Sequence, residues 1–116
     1  MTVPLPGPID TYTRMQVETA SHARLVCLLH NQCVLHLRQA ELTESSRRDQ
    51  LNRAQNILVL LQQSLKNTDA TSRTLFHLYD YCYCLLEKGN DSEIINAGAI
   101  LDILRQTFDH LQKHPR

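Results

Sequence analysis

The residues best suited to chemistry form a regular series. Cys27, His30, Cys33 and His36 follow one another at three-residue intervals inside "CLLHNQCVLH". Thiolates and imidazoles are the ligands zinc takes, and a thiol beside an imidazole can be activated as a nucleophile. Both chemistries depend on the element that carries the series. On a helix each step of three rotates the side chain backwards by about 60°, so the four fan over roughly 180°. Adjacent members can share a ligand, but all four cannot close on one ion. Helices that bind zinc commonly place two ligands four apart on one face, as in HExxH. The chain has no HExxH, CxxC or EF-hand loop. A metal site would therefore have to be composite, drawing on His77 or Cys82 from another segment. A Cys27–His30 nucleophile is disfavoured because burial among leucines raises a thiol pKa. The spacing makes these residues structural, with Cys33 on a core stripe and His30 and His36 at its edges. No metal or other cofactor is expected.

Other catalytic signatures are missing as well. The sequence carries no glycine-rich phosphate loop, no GxSxG elbow and no paired ExxH motifs of a di-iron bundle. An enzyme is not expected.

The elements that hold these residues are helices. Between Asp10 and His114 the only helix breakers are Gly89 and Gly98, with no proline. The first long helix opens at the N-cap candidate Ser21 and ends near Glu41, with a stripe of Leu25, Leu28, Leu29, Cys33 and Leu37 widened by Val26, Val34 and Leu35. The second runs from about Arg47 to Lys66 on the heptad-like seam Leu51, Ala54, Leu58, Leu61, Leu65. The third, about Ser72 to Lys88, carries Leu75, Leu78, Tyr79, Cys82, Leu85 and Leu86, and Gly89 suits the left-handed residue beyond its end. The fourth opens at Asp91 or Ser92 and carries Ile94, Ala97, Gly98, Leu101, Leu104, Phe108 and Leu111. Short joints make successive helices antiparallel neighbours. The expectation is an all-α, up-down four-helix bundle over residues 19–113, preceded by an extended arm over residues 1–18 whose first ten residues hold three prolines. No segment shows the sustained two-residue alternation of a strand.

Composition narrows the class. Twelve basic residues balance twelve acidic ones in 116, and no basic stripe marks a nucleic-acid partner. No apolar run approaches the ~20 residues that span a membrane, and the N-terminus lacks a signal-peptide pattern. The four cysteines fit reduced thiols in a cytoplasmic protein, although a bridge between helices stays geometrically open. The helices carry more apolar residues than one small interior needs, as in "ILVLL" and "LFHLYDYCYCLL". That surplus is either a wide core with scattered exposed leucines or a set of grooves for another chain, and the aromatic cluster favours grooves.

Four stretches, in order, resemble the bacterial flagellin export chaperones of the FliS type. They are "YTRMQVETASHARLV", "LNRAQNILVLLQQSL", "LFHLYDYCYCLLEKGN" and "DSEIINAGAILDILRQTFDHL", together covering about Tyr12 to Leu111, with Leu-Tyr-Asp-Tyr the most telling element. The chain departs from the pattern at His22 (usually proline), at "HNQC" (often Tyr-Asp-Gly-Ala, so that His30 replaces an aromatic), in a shorter first joint, and in "KNTDATSRT", which lacks a Gly-Gly. The resemblance implies a cytoplasmic export chaperone. Its partner would be the disordered C-terminal segment of flagellin, folded as helices into apolar surface grooves to block premature polymerisation and aid type III flagellar secretion. Other flagellar export components would be possible partners, and monomer and homodimer are both compatible with the sequence. By the same resemblance the arm, through Tyr12 with Met15 and Val17, either covers the groove when flagellin is absent or merely packs on the bundle. The expected client-binding residues are Tyr12, Val17, Ile57, Leu61, Leu65, Phe76, Tyr79 and Tyr83, although stripe membership alone does not separate groove from interior. Asp80 holds an adjoining hydroxyl or amide, or is solvated. Two alternatives stay open: a helical adaptor for another secretion component, and a metal- or thiol-binding bundle.

Overall fold

The computed structural model describes residues 22–65 and 68–114. The expected arm over 1–18, its Tyr12, Met15 and Val17, and the cap Ser21 lie outside the described residues; the second helix, expected to run to about Lys66, stops at Gln63, and Ser64 is its C-cap. Four helices follow: α1, His22–Leu42; α2, Arg47–Gln63, entered through a short 3₁₀ turn at Glu44–Ser46; α3, Ala70–Lys88; and α4, Asp91–Lys113. No strand occurs among the described residues.

Local chemistry sets the ends. Asp69 caps α3, its carboxylate accepting from the Ser72 amide at 2.8 Å, so α3 starts at Ala70, ahead of the expected Ser72. A carboxylate at that position satisfies an orphan amide and meets the positive end of the helix dipole. Gly89 ends α3 in the left-handed region at φ 73°, its amide donating to the Leu85 carbonyl at 3.1 Å. Asn90 then leads directly into α4.

The helices pack in a ring, α1 on α2, α2 on α3, α3 on α4 and α4 on α1, and the diagonal pairs bring no Cα atoms within 8 Å. Neighbours run antiparallel. His36 of α1 meets Gln50 of α2 at 2.7 Å, and three residues earlier the Cys33 thiol reaches the Ala54 carbonyl, further along α2, at 3.6 Å. Arg48, at the start of α2, donates to the Leu86 carbonyl at the end of α3, while Gln62 at the end of α2 donates to Phe76 near the start of α3. Arg38 pairs with Asp102 at 3.9 Å, and His30, earlier in α1, stacks on Phe108, later in α4.

The core is built from one seam per helix. On α2 the seam is Leu51, Ala54, Leu58 and Leu61, and on α4 it is Ile94, Ala97 and Leu101, as the spacing predicts. On α1 the phase differs from expectation. The buried seam is Val26, His30, Cys33, Leu37 and Ala40, at alternating steps of four and three, while Leu28 and Leu35 face solvent at 44% and 47% exposure. The leucine-weighted stripe is rotated because the true seam includes a histidine, which hydrophobic periodicity does not count. His30 is thus a fully buried core residue, and not an edge residue. Among the described residues Gln55 is the other buried polar side chain; its amide donates to the Tyr83 carbonyl at 3.2 Å and to Glu87 at 2.8 Å.

The two ends of the bundle differ. At one end Arg47 reaches the Ala40 carbonyl at 3.1 Å and Asp91 at 2.8 Å, tying α1, α2 and α4 together. At the other end burial fades. The α4 seam continues as Leu104 and Phe108, and α2 and α3 contribute Leu65 and Leu75, all of them only partly buried.

Candidate functional site

That open end holds a cavity of about 390 Å³, between the start of α1, the end of α2, the start of α3 and the last turns of α4. Its apolar walls are Val26, Leu65, Leu75, Tyr79 and Phe108, and its rim is His22, Ala23, Ser64 and Ser72. The volume lies in the range of ligand pockets. Two neighbouring clefts extend it. One of about 300 Å³ shares Leu65 and Ser72 and adds Gln62, Arg73 and the half-exposed Phe76. Another of about 340 Å³ shares His22 and Ser64 and adds Leu25, Leu29 and Leu60. Together they form a concave, mostly apolar surface across one end of the bundle.

The wall formed by Tyr79 is fixed from inside. His30 Nδ1 lies 2.8 Å from the Val26 carbonyl, which can only accept, so Nδ1 carries the proton. Nε2 is then an acceptor, and the Tyr79 hydroxyl donates to it at 3.0 Å. The imidazole stacks on Phe108 with ring centroids 5.0 Å apart. Burial lowers the His30 pKa, against the opposing pull of the Val26 carbonyl, and so favours the neutral ring. Burial likewise raises the Tyr79 pKa, so its hydroxyl keeps its proton.

The cysteine and histidine series disperses. Both nitrogens of His30 are engaged, Cys33 points at the Ala54 carbonyl, and His36 bonds Gln50. Burial pushes the Cys33 and Cys82 thiols up to about 12 and raises Cys27, the last also through Asp109. These are protonated, poorly nucleophilic groups. His77 is exposed, edge-on to Phe76. Among the described residues no group of three His, Cys, Asp or Glu side chains is placed to hold a metal ion.

The expected client-binding residues divide. Leu65 and Phe76 line the open end, and Tyr79 forms a cavity wall while keeping only 1% exposure. Ile57 and Tyr83 are partly buried against the core. Leu61 is wholly buried, three residues beyond Leu58 on the inward seam of α2, and belongs to the interior. Asp80 is exposed. Residues that the sequence placed only on stripes, namely Val26, Leu75 and Phe108, are the other cavity walls. Their stripe positions gave no signal that separates cavity from interior, since that depends on where the closed core layers end.

A second, shallower cleft of about 240 Å³ runs between α1 and α4, with Ile95, Gly98 and the Arg38–Asp102 ion pair along it. Its charged lining contrasts with the apolar end cavity.

The family model described as flagellar protein FliS matches residues 6–115. No curated protein matches the chain.

Proposed function

Because the chain belongs to the family of the flagellar protein FliS, and is thus a flagellar export chaperone, we propose that the apolar end of its bundle captures the C-terminal segment of flagellin. The client segment folds into amphipathic helices as it lays apolar anchors into the cavity and its flanking clefts. Capture keeps flagellin from polymerising early and presents it for type III flagellar secretion. This reading assigns the chain to the cytoplasm, and no helix among the described residues is long and apolar enough to cross a membrane.

The observation that carries the proposal is the union of the 390 Å³ cavity with two apolar clefts at the one end where the core seams are left open. Leu65 and Phe76, with Tyr79 as a wall, are the contact residues this reading favours. Ile57 and Tyr83, partly buried against the core and outside the lining of the cavity, are the expected contacts this reading favours least. Tyr12 and Val17 enter this reading as an internal competitor for the client, the role the resemblance implies for the arm.

Calorimetric titration with a peptide covering the last ~40 residues of the flagellin of the same organism tests the proposal. Saturable binding with a negative heat-capacity change is expected for apolar burial coupled to folding. Heat-silent mixing, also after deletion of residues 1–17, overturns it. Unchanged affinity on that deletion, with binding otherwise intact, removes the competitor role of the arm alone.

A further inference from the structure

His30 does not line the cavity, yet each group it bonds or stacks on belongs to the cavity wall. Its Nδ1–H is committed to Val26, its Nε2 to Tyr79 and its ring face to Phe108. We propose that His30 is the positioning residue of this cavity: as a neutral acceptor it draws the Tyr79 hydroxyl into the core and backs Phe108, so that the cavity presents apolar faces and selects a client through an aliphatic or aromatic anchor side chain, and it gives up that arrangement on gaining a proton. This inference rests on the reading of the cavity as the client site.

The hydrogen-bond inventory requires the first half. A tyrosine hydroxyl facing an apolar cavity without a partner would favour a polar ligand or a trapped water. Here the hydroxyl is satisfied from behind, and the cavity wall shows only ring carbon. Ser64, on the rim, is also occupied, its hydroxyl donating to the Leu61 carbonyl at 2.6 Å.

The surroundings of His30 supply the second half. From α1 the nearby titratable groups are Cys27 and Cys33, and from α3 they are Tyr79 and Cys82, all neutral. From α4 comes Phe108, with Asp109 beyond it acting on Cys27. α2 sends the leucines Leu58 and Leu61 into the core, and its charges, Arg47, Arg48, Asp49 and Arg53, occupy its first two turns at the opposite end. Among the described residues no carboxylate bonds the imidazole to balance an imidazolium. A protonated Nε2 would also donate toward the hydroxyl that now donates to it, and the Tyr79 proton would have to turn away.

The test uses the full chain and the flagellin C-terminal peptide. In the wild type, ring-nitrogen NMR at pH 7 is expected to show neutral His30 with the proton on Nδ1. His30→Gln keeps an acceptor that does not titrate, and is expected to bind like wild type at pH 7.5. Between pH 7.5 and 5.5 the wild type should lose roughly fivefold or more in affinity relative to this variant. His30→Leu and Tyr79→Phe should each weaken binding, and the double variant should be no worse than the poorer single one, a coupling of roughly fivefold. A proton on Nε2, acid sensitivity unchanged in His30→Gln, or independent effects in the double variant overturns the inference. Failure of the wild type to bind the peptide instead overturns the client reading and the selectivity drawn from it. The tautomer, and the same variant cycle in urea unfolding, then still decide whether His30 holds Tyr79.

Discussion

The Tyr79 hydroxyl on α3 donates to His30 Nε2 on α1 at 3.0 Å, across a diagonal of the bundle where no Cα atoms of the two helices lie within 8 Å. A polar pair at that depth fixes rotation and register between helices that share no other contact of the backbone kind. It also gives the bundle an acid-sensitive element.

The sign of that sensitivity follows from burial. His30 titrates below its unfolded value of about 6.5. Above pH 6.5 neither state holds the extra proton and the full stability is present. As pH falls below 6.5 the unfolded chain takes up a proton that the folded one resists, and stability drops until the folded pKa is passed. Asp69 and Asp102, held low by the Ser72 amide and by Arg105, lose their contribution only below about pH 4, so the two windows separate. Urea unfolding at pH 7.5, 6.5 and 5.5 should show this decline in the wild type and not in His30→Gln; parallel declines would show that other groups cause it.

The two described glycines should respond to alanine in opposite directions. At Gly98, inside α4, an added Cβ meets no atom within 4 Å. Relief of backbone entropy should stabilise Gly98→Ala by about 0.5–1 kcal/mol. Gly89 sits at φ 73°, and an added Cβ would strike Arg48, whose Nη2 bonds the Leu86 and Glu87 carbonyls at 3.2 and 3.4 Å. Gly89→Ala should cost about 1–2 kcal/mol from the left-handed backbone alone. Urea midpoints measure both, and a loss of stability in Gly98→Ala would contradict the open space above it.

Thiol reactivity should be graded by burial. Cys84 is exposed, whereas Cys27, Cys33 and Cys82 are buried. Titration of the native protein with an aromatic disulfide at pH 8 should therefore label Cys84 quickly and the other three only as the bundle opens. Rapid modification of Cys33 or Cys82, identified by mass spectrometry, would revive thiol chemistry as a function.

Core and client residues should separate by variant. Leu61→Ala empties a fully buried position and should cost about 2–5 kcal/mol of stability. Phe76 is 46% exposed, so Phe76→Ser should leave stability within about 1 kcal/mol while weakening client binding severalfold. Full affinity in Phe76→Ser would remove the cleft beside Phe76 from the client surface.

Much of the fold is legible in the residues. The absence of proline and scarcity of glycine between Asp10 and His114, the α2 and α4 seams, and Gly89 after α3 dictate four antiparallel helices, because local propensity, periodicity and capping act over one or two turns. The start of α3 falls at Ala70 and not at the expected Ser72, because Thr68, Asp69, Thr71 and Ser72 all compete as caps and only the geometry of the Asp69 carboxylate decides.

What the sequence could not decide is which stripe residues face inward at each level. Leu61 and Leu65 sit four apart on one stripe of the sequence, yet Leu61 is core and Leu65 lines a cavity, because α2 stops at Gln63 and Leu65 lies beyond its last turn, where the closed layers of the bundle end. His30 reads as an edge residue in the sequence and is a core residue in the fold, since its polarity is cancelled by partners 4 and 49 positions away in the chain. Helix identity is a local property of the chain. The end cavity and its buried imidazole arise from four helices meeting, and only the tertiary packing determines where they stop filling one another.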